Sequence, residues 1–337
     1  MDFSEFIGLM LTLCSVGILI ILSSSNWWVT WVGIELFTLF FIPLMKLGGW
    51  FGVFSGLWHY YLIQSVSSIF ILLIGLTIPM SDFMNFSIYT NQIVGVLMLI
   101  PVLMKLGLPP FHSWMLSISN NLSWSSFFFV NSLSKIGPTI ILFNLVNSNV
   151  VKGYLIYSYS VMALLTIIPW VKEVRIRHLI VYSGVVNSCW TMMAAVLMDS
   201  LWIMIQMNYF ISLFILVNKV ALSSIETTES LYLAWTKSSF VGKLVMSFSL
   251  VNMAGMPPSP MFFLKVMVIW GSFMISWLPG FIGLILSMVY LKVYFSILTI
   301  SLIQTNPSFK MVSWKTHSIF YFLLVWILFI MVIYFAC

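Results

Sequence analysis

The sequence predicts an all-α membrane protein of about eleven transmembrane helices, and three observations carry that expectation. Hydrophobic residues make up 61% of the 337-residue chain and charged residues only 7%. So few charges could not cover a soluble domain of this size. Apolar runs of about 20 residues, the length of a membrane-crossing helix, recur from one end to the other. Two of these runs are broken by nearly the same four residues, Gly107-Leu108-Pro109-Pro110 and Gly255-Met256-Pro257-Pro258.

In chain order the runs cover 3–22, 26–45, 54–78, 88–118 (broken), 123–145, 154–171, 176–198, 200–222, 240–276 (broken), 279–302 and 318–336. Short connections carry turn residues, as in Ser23-Ser24-Ser25-Asn26, Gly48-Gly49 and Asn306-Pro307-Ser308. The longest, near 223–239, holds Glu226, Glu229 and Lys237, and no separate soluble domain is expected. With loops assigned alternately to two sides, the side of the N-terminus collects Lys46, Lys172, Arg175, Arg177, Lys237, Lys310 and Lys315. The other side has Lys152 beside Asp82 and Asp199. Basic loops stay on the cytoplasmic or matrix side, so the N-terminus belongs there. An odd number of spans puts the C-terminus opposite. The net charge of +6 is therefore a topology signal, and nucleic acid is excluded as a partner.

A Gly-x-Pro-Pro segment removes backbone donors and clashes with the preceding turn, so no regular helix runs through it. Inside lipid the freed carbonyls must be met by protein or by a water-filled cavity. Matching interruptions in two halves of a chain point to a transport site. Spans 1–5 place a broken helix fourth, and spans 6–10 do so again. Five is odd, so the second unit enters the membrane from the opposite face. The expected layout is one polytopic domain, 1–337, made of a five-helix repeat (1–148), an inverted second repeat (149–303) and a C-terminal helix (304–337).

Most charges lie at helix ends, where lysines reach water; Lys46, Lys219 and Lys243 fit that role. Five do not: Glu35 in span 2, Lys105 beside the first break, Lys135 in span 5, Lys265 past the second break and Lys292 in span 10. At roughly 2.5–3.5 kcal/mol per central charge, they oppose insertion by about 12–18 kcal/mol before pairing and hydration offset it. One reading makes some of them structural ion pairs, Glu35 with Lys105 above all. Glu35 is the sole mid-membrane carboxylate, however, so Lys135 and Lys265 lack acidic partners. Loss of hydration disfavours an ammonium ion. Such lysines can load and release a proton, and successive ones joined by water make a relay. His112, just after the first break, fits either a cap on loose backbone or a relay member. Lys292 is a candidate exit group. The aromatics (17%) and the 23 methionines are read as packing or lipid-facing residues.

Cys14, Cys189 and Cys337 show no CxxC spacing, the four histidines form no HExxH, and neither GxGxxG nor GxxxxGK[ST] occurs. These absences argue against an iron–sulfur cluster, a zinc site and a nucleotide loop. The acidic start, Met1-Asp2-Phe3-Ser4-Glu5, leads into an apolar run without a small-residue cleavage site. Direct membrane insertion is the expectation, without a secretory signal or transit peptide. The many Met and Trp residues fit an organelle genome that reads extra codons for them.

At its charged residues the chain resembles the subunit 2 family of mitochondrial NADH dehydrogenase, the antiporter-like membrane subunits of respiratory complex I. Val32-Gly33-Ile34-Glu35-Leu36 is similar to the family's Gly-Leu-Glu segment. Lys105-Leu106-Gly107-Leu108-Pro109-Pro110-Phe111-His112-Ser113-Trp114 resembles its Lys-x-Gly-x-x-Pro-Phe-His-x-Trp motif. Ser134-Lys135-Ile136-Gly137-Pro138 matches the helix of the central lysine, and Gly255-Met256-Pro257-Pro258 through Lys265 the second broken helix. Ile176-Arg177-His178-Leu179, with Tyr182-Ser183 and Trp190, resembles the start of the second repeat. Eleven spans fit the shortened animal form.

The resemblance implies a subunit of a proton-translocating NADH:ubiquinone reductase, in the mitochondrial inner membrane, with no redox centre of its own. Proton translocation through Glu35, Lys105, Lys135 and Lys265 would be coupled to electron transfer elsewhere. NADH, FMN, Fe-S clusters and ubiquinone would belong to partner subunits. Neighbouring antiporter-like subunits, accessory subunits and phospholipids are the implied partners. Three departures stand out: Pro109 replaces a small residue, Ser134 a glutamine, and Asn187 a histidine of the family's Ser-Ser-x-x-His-x-Gly-Trp stretch. Asparagine orients water but carries no proton. Two rivals remain at this point. A stand-alone Na⁺ or K⁺ antiporter would need several oxygen ligands where only Glu35 is central, and a purely structural subunit would have little use for the buried lysines.

Overall fold

The computed structural model describes residues 3–24, 26–47, 54–77, 90–146, 149–171, 173, 175–198, 200–221, 240–257 and 259–303. These form thirteen helices. The first half holds α1 (Phe3–Ser23), α2 (Trp27–Leu47), α3 (Phe54–Gly75), α4 (Thr90–Leu106), α5 (Ser113–Ser119), α6 (Trp124–Asn131) and α7 (Leu133–Leu145). The second holds α8 (Asn149–Val171), α9 (Ile176–Leu197), α10 (Leu201–Ala221), α11 (Phe240–Ala254), α12 (Pro260–Ile275) and α13 (Trp277–Ile303). Six segments among the described residues are long and apolar enough to cross a membrane, α6 and α7 counting as one. The expected eleventh span, 318–336, and the 223–239 connection lie outside the described residues, as do Asp82, Lys172, Asp199, Lys310 and Lys315.

Both expected breaks are present, and they share one backbone geometry. Gly107 and Gly255 take positive φ, 64° and 72°, a conformation glycine adopts without a Cβ penalty. At the first, Gly107 N–H donates to Met104 O (3.2 Å) and Leu108 N–H to Leu103 O (3.0 Å). At the second, Gly255 N–H donates to Asn252 O (3.1 Å) and Met256 N–H to Val251 O (3.2 Å). Each pair is a Schellman cap, which satisfies carbonyls that a helix end leaves open. A tight turn follows in both, Phe111 N–H to Leu108 O and Ser259 N–H to Met256 O.

Span 5, expected as one helix, is divided at Ser132. The hydroxyls of Ser132 and Ser134 donate to Phe128 O and Val130 O one turn back, bonding that bends helices. Pro138 further on supplies no N–H to the ladder. The division falls three residues before Lys135.

In the first half α1 packs on α2, α2 on α3, α3 on α4 and α4 on α7, which returns to α1. In the second, α8 packs on α9, α9 on α10, α10 on α11 and α11 on α13, which returns to α8. The halves meet where α10 packs on α6, α8 on α4, and α9 on both α5 and α7; α9 is enclosed along nearly its whole length. Small residues (Ser183, Gly184, Ser188, Ala194, Ala195) let its neighbours come close. A second close approach joins α1 and α2. A methyl on Gly17 would meet Gly33 O at 3.0 Å and Phe37 N at 3.1 Å.

Candidate functional site

Three lysines lie in the protein interior, with 2%, 1% and 3% of their surfaces exposed: Lys105, Lys135 and Lys265. Lys105 ends α4, one residue short of the helix's last. Its Nζ donates to Gln64 O at 3.1 Å and reaches Gln64 Oε1 at 3.5 Å, both on α3. Glu35 acts on Lys105 through its charge without a direct contact within 4.0 Å. An ion pair elsewhere joins His178 to Glu173. Glu35 is half-buried on α2, and its Oε2 is enclosed without a hydrogen-bond partner among the described residues. A small cavity beside Lys105 is walled by Ile21, Ile34 and Phe37 on its apolar side and by Thr38, Tyr60, Gln64, Ser134, Gly137 and Pro138 on the other. It therefore runs from Lys105 toward the turn of α7 that carries Lys135.

Lys135 donates to Ser188 Oγ of α9 at 3.3 Å. A methyl on Gly184 would stand 2.9 Å from Lys135 Nζ, 3.0 Å from the Tyr209 hydroxyl and 3.2 Å from Asn131 Oδ1. Glycine here makes room for three polar atoms to converge. Next to them, Asn187 Nδ2 donates to Gln206 Oε1 at 3.4 Å, while Asn187 Oδ1 and Gln206 Nε2 are enclosed without partners.

Lys265 follows the second break and reaches back over it, donating to Ala254 O at 3.3 Å. Its charge thus caps the carbonyl end of the interrupted helix, where a cation is favoured. The ammonium also lies 3.8 Å from the centre of the Tyr290 ring and 6.0 Å from that of Trp190, the geometry of a cation–π contact.

The two remaining candidates stand apart. His112 makes no side-chain cap on α5, because the backbone at the break is already satisfied by its own turn. Its Nδ1 is enclosed, its imidazole interacts with the Pro110 backbone, and its ring lies 6.0 Å from that of Tyr182. Lys292, expected inside span 10, is exposed on the outer surface of α13. Gln64, Gly184, Ser188 and Tyr290 touch the lysines, yet nothing in the sequence singled them out. Their signal is positional: polar or bare sites on helices otherwise built of apolar residues. The sequence pattern makes Arg177 a loop charge. It instead binds Ser119 O, Asn120 O and Leu122 O and covers the Trp124 ring at 4.6 Å, fixing the α5–α6 junction. No cluster of three His, Cys, Asp or Glu side chains able to hold a metal occurs among the described residues.

No family model matches the chain. A protein from Viverra tangalunga named NADH-ubiquinone oxidoreductase chain 2 is 29% identical over 273 residues, covering 78% of this chain and 76% of that protein. The chain is similar over most of its length to proteins of that name, at 27–29% identity. Among solved structures, a chain of respiratory complex I from Thermus thermophilus with bound aureothin superposes with a TM-score of 0.76 at 15% identity. The match covers 88% of this chain and 70% of that one. A chain of the Mrp complex from Dietzia sp. gives 0.74 at 15% identity, over 90% and 64%. At that identity the two structures speak for the fold, a multi-pass helical membrane protein.

Proposed function

We propose that this chain is an antiporter-like subunit of NADH:ubiquinone oxidoreductase (complex I) that translocates protons across the mitochondrial inner membrane through Lys105, Lys135 and Lys265. Electron transfer from NADH to ubiquinone proceeds in other subunits, which hold the FMN and Fe-S clusters. Other membrane-arm subunits and phospholipids cover its apolar outer surface. The observation that carries this reading is the set of three enclosed ammonium groups, each met by neutral oxygens or a ring and, among the described residues, none by a carboxylate within 4.0 Å. Such groups are costly in a membrane unless they work. Hydroxyl, amide and carbonyl partners can orient a proton carrier without fixing its charge as a carboxylate does.

The proposed layout is an inverted pair of five-helix units, 1–148 and 149–303, followed by a C-terminal helix. It is supported by the matched order of helix contacts and by the Schellman caps at corresponding positions. The N-terminus then lies on the matrix side and the C-terminus on the intermembrane-space side. In this scheme Glu35 is the switch. With its Oε2 unengaged, an electrostatic change elsewhere in the complex moves it toward or away from Lys105, which then keeps or yields its proton to Lys135 and onward to Lys265. His112 and Lys292 are left as candidates at the two ends of the path. Lys135→Met, in the complex reconstituted into vesicles, should lower the ratio of protons pumped to electrons transferred while NADH oxidation continues. An unchanged ratio would remove Lys135 from the path.

A further inference from the structure

Between Lys135 and Lys265 the interior holds a cluster of hydroxyl groups that the lysines alone do not explain. Ser183 on α9, Tyr209 on α10, and Tyr290 and Tyr294 on α13 are all enclosed, none more than 2% exposed. Tyr209 OH is 3.2 Å from Ser183 Oγ. Ser183 Oγ donates its own proton to Ile180 O, so it accepts the proton of Tyr209. Tyr290 OH donates to Ser183 O at 3.0 Å. Its ring is wedged by Trp170 at 4.6 Å and stacked on Tyr294 at 5.5 Å. Both ends of this cluster meet a lysine. Lys135 Nζ and Tyr209 OH lie 2.9 and 3.0 Å from one point above Gly184, a gap that one water or a small rotation of the lysine spans. At the far end the face of Tyr290 carries the Lys265 ammonium, 3.8 Å from its centre.

We propose that Tyr209, Ser183 and Tyr290 form the proton bridge between Lys135 and Lys265, an inference that rests on the lysine-relay reading above. The other polar pair in this space, Asn187 with Gln206, consists of amides, which orient dipoles but carry no proton at neutral pH. Hydroxyls are both donors and acceptors, so a row of them passes a proton without any member staying charged. The step balances as follows. Lys135 gives a proton to the Tyr209 oxygen as the original Tyr209 proton leaves for Ser183 Oγ. Ser183 turns its hydroxyl from Ile180 O toward the Tyr290 oxygen, which already lies on the backbone carbonyl of Ser183 itself, and hands it a proton. The Tyr290 proton leaves that carbonyl and passes through one water to the neutral amine of Lys265, which sits over the ring face. Bonds between heavy atoms and oxidation states are unchanged. Lys135 ends one proton poorer and Lys265 one richer, and the hydroxyls are neutral and reversed in direction.

Phenylalanine at 209 and 290 keeps both rings, and with them the cation–π seat of Lys265, while removing only the oxygens. In the whole complex, assayed in vesicles for protons pumped per electron, the double variant Tyr209→Phe/Tyr290→Phe should fall to the ratio of Lys135→Met. Assembly and NADH oxidation with uncoupler should stay at the unmodified level. Tyr159→Phe removes another enclosed hydroxyl, on α8, and should leave the ratio unchanged. A double variant that pumps fully while Lys135→Met does not would overturn the bridge and spare the lysine relay. Full pumping in both would overturn the relay and the bridge with it. Should the double variant not assemble, Tyr209→Phe alone decides, and an unmodified ratio counts against the bridge.

Discussion

Gly184→Ala places a single methyl group where the proposed path is narrowest. The added carbon would begin 2.9 Å from Lys135 Nζ and 3.0 Å from Tyr209 OH, whereas ordinary contact begins at 3.4 Å. The ammonium must therefore retreat by about 0.5 Å. Its bond to Ser188 Oγ is already 3.3 Å long, so a shift of that size away from Ser188 breaks it. Loss of a hydrogen bond to a charged group costs about 1.5–3 kcal/mol. Exchanging glycine for alanine inside a helix returns about 1 kcal/mol. The net stability change is then small, about 0.5–2 kcal/mol on these two figures, because the crowded atom is the free end of a flexible side chain. Pumping should suffer far more than assembly. The assay is protons pumped per electron in the reconstituted complex, read alongside the amount of assembled complex on a native gel. Gly153→Ala, on α8 where nothing lies within 4 Å of the new methyl, is the control and should change neither. A Gly184→Ala complex that pumps at the unmodified ratio would show that the space between Lys135 and Tyr209 is not on the path.

Three further outcomes follow from the geometry. Gly255→Ala forces a side chain into positive φ, at about 1–2 kcal/mol, and pushes on Lys265 Nζ at 2.9 Å; thermal stability of the complex should fall, with pumping reduced in what remains. Gly17→Val presses on backbone atoms of α2 at 3.0 and 3.1 Å, which cannot yield, so assembly on native gels should drop sharply, whereas Gly8→Val, with nothing within 4 Å, should be tolerated. Gln64→Leu removes Oε1 from Lys105 but leaves the 3.1 Å bond to the backbone oxygen; the complex should assemble normally and pump at a lowered ratio, and an unaffected ratio would mean that the Gln64 side chain does not guide the proton.

The fold was legible because its punctuation is local. Glycine followed by proline two residues on stops a helix whatever surrounds it, so both breaks were visible and both are Schellman caps. Lys105, Lys135 and Lys265 stood out because a charge amid apolar residues needs a reason, and all three are enclosed. Which face of each span turns inward was not legible. A helix apolar all round shows no phase in its sequence, so Lys292 looked as central as Lys135 and is instead exposed. Partners across helices were equally hidden. Glu35, the mid-membrane carboxylate of the sequence, reaches Lys105 only through its charge, while Gln64, an uncharged residue on α3, makes the direct contact. Tyr209 and Tyr290 resembled the packing aromatics around them, and Ser183 resembled a small residue of a close-packed helix. Their hydroxyls meet only when α9, α10 and α13 are brought together.

A continuous proton route through this chain is tested most directly by ordered water in a high-resolution experimental map of the assembled complex. The route requires waters within hydrogen-bonding distance of Lys105, Lys135 and Lys265 that join them through Gln64, Ser188 and the Tyr209–Ser183–Tyr290 cluster in at least one state. A dry stretch walled by apolar side chains between any two of these lysines, persisting in every state, would contradict it.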